Sequence, residues 1–288
     1  MSVQTFLFNV MCRRNDAKRD KGLTPPDTII HHDNIKYGPF GQWNLLDVYL
    51  PKNAKGKLPV IVNFHGGAWV YGTKETYRYY CMSLAEQGFA VINPTYRLAP
   101  RYRYPAAFED IYKVFCFVTE KAEKYGFDTE RVFGIGDSSG AMGIAAFASA
   151  QTNKELEKRL DLYFPPGTKI RALCLNCGIF TTKDKEAAFV NILPPGKEKE
   201  VLSVLDVVSN ITSDFPPCYI MTSVDDFNRG EQQVLIDALE RNGVRYEYKV
   251  YGDENNRLGH VFHCDIRNET AKQANLDELN FLRSCTDL

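Results

Sequence analysis

From residue 58 to its end the sequence alternates short apolar runs with helical patterns, and this alternation admits few architectures. Runs at 58–64, 89–93, 131–135, 172–175, 218–221 and 246–251 are separated by helical patterns at 76–87, 106–124, 139–151 and 229–242, with a last one at 269–284. Unbroken apolar runs suit strands buried on both faces of a parallel sheet, and the intervening helices supply the crossovers. The expected fold class is therefore α/β, a mostly parallel central sheet with helices on both faces. A further strand is expected at 43–50, stopped by Pro51. Residues 178–217 break the alternation with no clear strand and a Pro194-Pro195-Gly196 stop. A segment of that length is a candidate lid over a ligand site. All 288 residues read as one domain.

Composition narrows the partners. Hydrophobic residues make up 44% and charged residues 25%, and the formal net charge is -1. A chain this long buries roughly three quarters of its unfolded surface, so no metal or disulfide is needed for folding. With so little net charge, neither nucleic acid nor a membrane is an expected partner. The eight cysteines are scattered through apolar segments. They read as free thiols of a reducing cytoplasm, and the Cys174/Cys177 pair reads as a buried strand and its end. Phe6, Leu7, Val10 and Met11 fall on one face of an expected amphipathic helix, followed by a charged and Pro-rich connector over 13–27. This N-terminal segment (1–27) is a second candidate for covering part of the site. Oligomeric state is not legible.

The sharpest motif is Gly136-Asp137-Ser138-Ser139-Gly140, placed between the apolar run 131–135 and the small-residue helix 139–151. In a strand–turn–helix context G-x-S-x-G presents a serine on a strained turn at a helix N-terminus. The glycines stand two before and two after Ser138, which makes Ser138 the candidate nucleophile. A second motif, His65-Gly66-Gly67-Ala68-Trp69, directly follows the run 58–64. Glycines there let backbone N–H groups approach an oxyanion. The candidate donors are Gly66, Gly67 and Ser139, and His65 reads as structural.

A serine nucleophile needs a base, and the base needs an orienting carboxylate. The chain holds five histidines, His31, His32, His65, His260 and His263. Behind such an elbow the order is serine, acid, histidine, which leaves His260 as the candidate base and His263 as the fallback. The acid is Asp225 or Asp226, both in the loop after the run 218–221. Trp69, Tyr71, Tyr77, Tyr79 and Tyr80 are candidates to line the alcohol side, with Trp69 and Tyr71 taken as substrate-binding.

These segments, with Leu46-Asp47-Val48-Tyr49-Leu50-Pro51, Tyr96-Arg97-Leu98-Ala99-Pro100, Pro105-Ala106-Ala107, Pro216-Pro217 and His260-Val261-Phe262, stand in one order over residues 46–262. In that combination the chain resembles the hormone-sensitive-lipase-like branch of α/β-hydrolase carboxylesterases and acetylesterases. The resemblance implies the α/β-hydrolase fold and a triad of Ser138, Asp226 and His260. Asp226 follows from the family spacing of nine residues after Pro217, although Phe227-Asn228 stands where the family has Pro-Leu. Ala68 stands where a third glycine is common, and Ser139 where alanine is. The resemblance further implies acyl transfer from a small-molecule ester with no metal or organic cofactor. Short acyl groups, acetyl to butyryl, are the expected substrates, and the tyrosines suggest an acetylated carbohydrate. An arylformamidase-like amidase and a non-catalytic binding protein on the same fold are the competing expectations.

Overall fold

The computed structural model describes residues 2–160, 164 and 167–286. Eight strands form one sheet: β1 (Ile29–Lys36), β2 (Leu45–Pro51), β3 (Leu58–Phe64), β4 (Ala90–Pro94), β5 (Phe127–Asp137), β6 (Ala172–Asn176), β7 (Cys218–Ser223) and β8 (Tyr246–Tyr251). Their spatial order is β1-β2-β4-β3-β5-β6-β7-β8. β2 pairs antiparallel with β1 and β4, and β4 through β8 along that order are parallel. The helices are α1 (Val3–Asp20), α2 (Lys74–Ala85), α3 (Ala106–Glu120), α4 (Ala122–Tyr125), α5 (Ser139–Thr152), α6 (Lys154–Leu160), α7 (Glu198–Leu205), α8 (Val207–Asn210), α9 (Glu231–Arg241) and α10 (Glu269–Ser284).

The strand period of two divides the apolar residues between two cores. Val60, Val62, Phe64, Leu173, Leu175 and Ile220 face one side, where they pack with Phe115 of α3, Phe147 of α5 and Leu239 of α9. Ile61, Phe133, Cys174 and Met221 face the other, against Cys81 of α2 and Leu282 of α10. Each fully buried Ile, Leu or Phe among them contributes roughly 1.5–3 kcal/mol. The small residues of α5 bring that helix close to the sheet. A Cβ at Gly143 would lie 2.2 Å from the Phe64 ring.

Register then aligns the carboxyl ends of the parallel strands. Phe64 pairs with Gly136, Asp137 with Asn176, Asn176 with Met221, and Ser223 with Tyr251. In an open α/β sheet this edge is where ligands bind.

Several elements depart from the expectation. β1 was not foreseen; its pairing with β2 shifts register between His32 and Ile35, which breaks the alternation a strand is recognised by. The 106–124 helix breaks at Lys121 into α3 and α4. Residues 13–20, read as connector, are helical and complete α1. Phe6, Leu7 and Met11 do share a face, but that face is exposed; Phe8 on the opposite side packs on the body. The 178–217 segment belongs largely to the main core through Phe180, Phe189, Val201, Leu205, Val207, Ile211 and Phe215.

Candidate active site

A pocket of about 690 Å³ opens over the strand ends and is lined by Ser138, Ser139, Gly67, Ala68 and His260. Ser138 sits between β5 and α5 with φ 52° and ψ -121°. This conformation costs a non-glycine residue on the order of 1–3 kcal/mol. Two glycines make it feasible. A Cβ at Gly136 would lie 2.6 Å from Gly140 backbone, and one at Gly140 would lie 2.0 Å from the Phe64 carbonyl. Any side chain at either position would push strand and helix apart. The serine stands at the positive end of α5, which favours developing negative charge.

His260 reaches the pocket from the loop after β8, and its Nδ1 lies 2.7 Å from Asp226 Oδ1. Asp226, in the loop after β7, also accepts from Thr222 Oγ1 at 2.6 Å and from the Asn228 N–H at 2.9 Å. Burial by itself would raise its pKa, but these hydrogen bonds outweigh burial and hold the carboxyl below its ordinary range. An ionised Asp226 fixes Nδ1 as the protonated nitrogen and turns Nε2 outward. The Cys177 thiol lies beside the same carboxylate, and burial pushes it well above its usual pKa, so it stays a protonated donor. The neighbouring Asp225 points elsewhere, paired with Arg257 at the surface. His263, the fallback base, is fully buried against Tyr80 and Cys264. Burial drives its pKa down to about 3, so it is neutral.

The loop after β3 is shaped by its glycines and by a buried acid. Gly67 has φ 118°, and a Cβ there would lie 2.2 Å from the Tyr71 carbonyl. Its own carbonyl accepts the N–H groups of Val70 and Tyr71. Gly66 does not stand as expected. Its N–H donates to Asp137 Oδ1 at 3.0 Å, with the Tyr77 hydroxyl at 3.2 Å, so it is directed away from a bound oxyanion. Of the three expected donors, Gly67 and Ser139 line the pocket, and Ala68 joins them. As the first residue of α5, Ser139 has no intrahelical partner for its N–H. His65 is fully buried and stacked on Tyr96 and Tyr77, with Nδ1 2.8 Å from the Gly66 carbonyl. Burial lowers its pKa to about 4, in keeping with a structural imidazole.

Asp137 carries no signal in the sequence, because it fills a variable position of G-x-S-x-G. It is fully buried, and desolvation raises its pKa to about 6 against the hydrogen bond donated by Tyr77 at 2.8 Å. The acid thus ties the serine elbow to the loop after β3.

The walls are largely apolar. Trp69 packs between Phe64 and Phe108, Tyr71 meets Phe8 edge-on, and Phe227 covers the His260 ring at 4.1 Å. Ile179 and Phe189 come from the 178–217 segment, and Phe8, Met11, Cys12 and Asp16 come from α1. The tyrosine wall is smaller than expected. Tyr80 is buried with Glu278, Tyr79 donates to the Leu23 carbonyl, and Tyr77 is committed to Asp137. Tyr71 donates to Asp16 at 2.6 Å, and Asp16 in turn pairs with Arg19. The N-terminal segment was expected to cover part of the site, but Asp16 was missed because its charge read as part of a solvated connector.

Comparison with known proteins bears on the family and the fold. A family profile described as alpha/beta hydrolase fold matches residues 61–264. The chain is 27% identical over 232 residues to the probable carboxylic ester hydrolase LipM of Mycobacterium tuberculosis, covering 73% of this chain and 52% of LipM. It is 26% identical over 256 residues to the isoprenylcysteine alpha-carbonyl methylesterase ICME of Arabidopsis thaliana, covering 82% of this chain and 57% of that protein. The chain thus spans about half the length of these curated relatives. Among solved structures, an inhibited esterase B from Lactobacillus rhamnosis superposes with a TM-score of 0.91 at 21% identity, covering 99% of this chain and 96% of that one. The chain belongs to the α/β-hydrolase fold family, in its hormone-sensitive-lipase-like branch.

Proposed function

We propose that this protein is a serine carboxylic-ester hydrolase with Ser138, His260 and Asp226 as its triad. The observation that carries the reading is the placement of the strained Ser138 in one pocket with His260, whose Nδ1 is held by the ionised Asp226. Ser138 attacks the ester carbonyl while His260 Nε2 takes its proton, and Asp226 stabilises the resulting imidazolium. Amides of Gly67, Ala68 and Ser139 receive the oxyanion, where each donor is worth roughly 10²–10³ in rate. His260 then protonates the leaving alkoxide, and water activated by the same histidine releases the acid.

The pocket volume is in the range of small-ligand sites, about 300–1,000 Å³. Its walls of Phe8, Trp69, Ile179, Phe189 and Phe227 favour a short acyl group joined to an apolar or aromatic alcohol. With Tyr77, Tyr79 and Tyr80 committed to structural hydrogen bonds, these tyrosines do not argue for an acetylated sugar. The test is hydrolysis of p-nitrophenyl esters from acetate to decanoate by the wild type and Ser138→Ala. Activity concentrated on acetate to butyrate and abolished in the variant supports the reading. A folded wild type that leaves every ester intact but cleaves N-formylkynurenine moves it to an amidase.

A further inference from the structure

We propose that the outward face of α1 is a docking surface for an anionic phospholipid bilayer, which sets the pocket mouth against the lipid. At 100° per residue, Val3, Phe6, Leu7, Val10, Met11, Arg13, Arg14, Ala17 and Lys18 form one stripe along the helix. Its first three turns are apolar, its last two are basic, and it carries no acidic residue. Phe6, Leu7 and Met11 are 53%, 59% and 54% exposed, and Arg13, Arg14 and Lys18 are exposed as well.

Val10 is half-buried, and the rest of the stripe is exposed. Anchoring comes from the opposite face: Phe8 meets Tyr71, Asn9 donates to the Val70 carbonyl, Asp16 accepts from Tyr71, and Arg19 donates to the Thr76 carbonyl. The stripe is also continuous with the site. Met11 lines the pocket, as does Phe227, which is 77% exposed, and Val190 beside the lining Phe189 is exposed too. Apolar groups thus rise around the mouth from α1, from the loop after β7 and from the 178–217 segment.

Charge decides the occupant. A helix with exposed large apolar residues and a basic flank lies in the interface plane of a membrane, with the cations on anionic headgroups. A second copy of the chain offers no such match. Antiparallel pairing of two stripes would set arginines on phenylalanine and leucine, and parallel pairing would set arginine on arginine. Among the described residues no helix is long and apolar enough to cross a membrane, so the contact is peripheral.

The test is flotation of the full chain with phosphatidylcholine vesicles, with and without phosphatidylglycerol, which needs no assumption about the reaction. Binding is expected to vesicles containing phosphatidylglycerol and to weaken with salt. Phe6→Ser with Leu7→Ser should lower it about tenfold or more, and Arg13→Gln with Arg14→Gln roughly tenfold on the anionic vesicles alone. Unchanged thermal unfolding of both variants shows that the fold is intact. Failure of the folded wild type to float, or binding indifferent to both pairs of substitutions, overturns the proposal. A concentration-dependent dimer in sedimentation that Phe6→Ser with Leu7→Ser abolishes also overturns it, and assigns the face to a second copy.

Discussion

Asp137 accepts a hydrogen bond from the Gly66 N–H at 3.0 Å, joining the residue before Ser138 to the loop that carries the expected oxyanion donors. Tyr77 donates to the other carboxylate oxygen at 2.8 Å. Removing this acid should loosen the loop without touching substrate. Asp137→Ala leaves the buried Tyr77 hydroxyl without its acceptor, at about 1–3 kcal/mol, and leaves the Gly66 N–H only its longer 3.2 Å contact to that hydroxyl. It should also cut kcat by roughly 10²-fold, since a shift of about 1 Å in the donors suffices for that. KM for p-nitrophenyl butyrate should change far less than kcat. Steady-state kinetics and urea unfolding of the variant check both parts; an equal rise in KM would place Asp137 in substrate binding instead.

The two adjacent aspartates should separate cleanly. Asp226 is buried and bonded to His260, whereas Asp225 faces Arg257 at the surface. Asp226→Asn should lower kcat by about 10⁴-fold, because the imidazole loses its orienting acceptor. Asp225→Asn removes only a solvent-screened ion pair at the surface, so its kcat/KM should stay close to wild type. The comparison is a direct rate measurement on one ester.

Stability should fall as pH rises from about 4.5 towards neutrality. Glu278 is fully buried, and desolvation pushes its pKa to about 7, although Tyr80 and Asn176 donate to it. A folded pKa above the unfolded value of 4.5 means the stabilisation is complete below pH 4.5 and is lost as pH rises through about 7. The loss is on the order of 3 kcal/mol. Asp137, raised to about 6, acts in the same direction. Glu278→Gln should therefore stabilise the protein at pH 8 and be near neutral at pH 5. Among the described residues the buried Asn176 Oδ1 has no partner, so a flipped amide can accept from the new glutamine. Urea unfolding at the two pH values reads the difference.

Tyr71→Phe tests how α1 is latched. It deletes the 2.6 Å hydrogen bond to Asp16, a charge-assisted bond worth about 1.5–3 kcal/mol. Ring packing against Phe8 remains. The expected result is faster proteolysis within residues 3–20 and a raised KM, with kcat less affected. Limited proteolysis and initial-rate kinetics measure these.

Much of the sheet was legible because buried parallel strands such as 58–64 and 172–175 are largely apolar runs, and the elbow was legible because Gly136 and Gly140 stand two before and two after Ser138. The edge strand β1 was not, since Ile29–Lys36 is half polar and bulged. The α1 helix shows a different limit. Asp16 and Arg19 look solvated in sequence, yet they pair with each other and Asp16 accepts from Tyr71 beside the pocket. Equally, Phe6 and Leu7 have the spacing of a packed face but point outward, because the flanking Phe8 and Cys12 meet the body instead. A net charge of -1 likewise averages away the local basic stretch of that helix. Asp226 and Asp225 differ only in three-dimensional surroundings, as do Gly66 and Gly67, so composition could not rank either pair.

The account rests on Ser138 as the nucleophile, and covalent labelling tests it most directly. The protein would be treated with a p-nitrophenyl alkylphosphonate, which forms a stable adduct with an activated serine, then digested and mapped by mass spectrometry. The account predicts one adduct per chain on Ser138, with none in Ser138→Ala and much slower labelling in His260→Gln. An adduct on another residue, or ester hydrolysis that persists in Ser138→Ala, would contradict it.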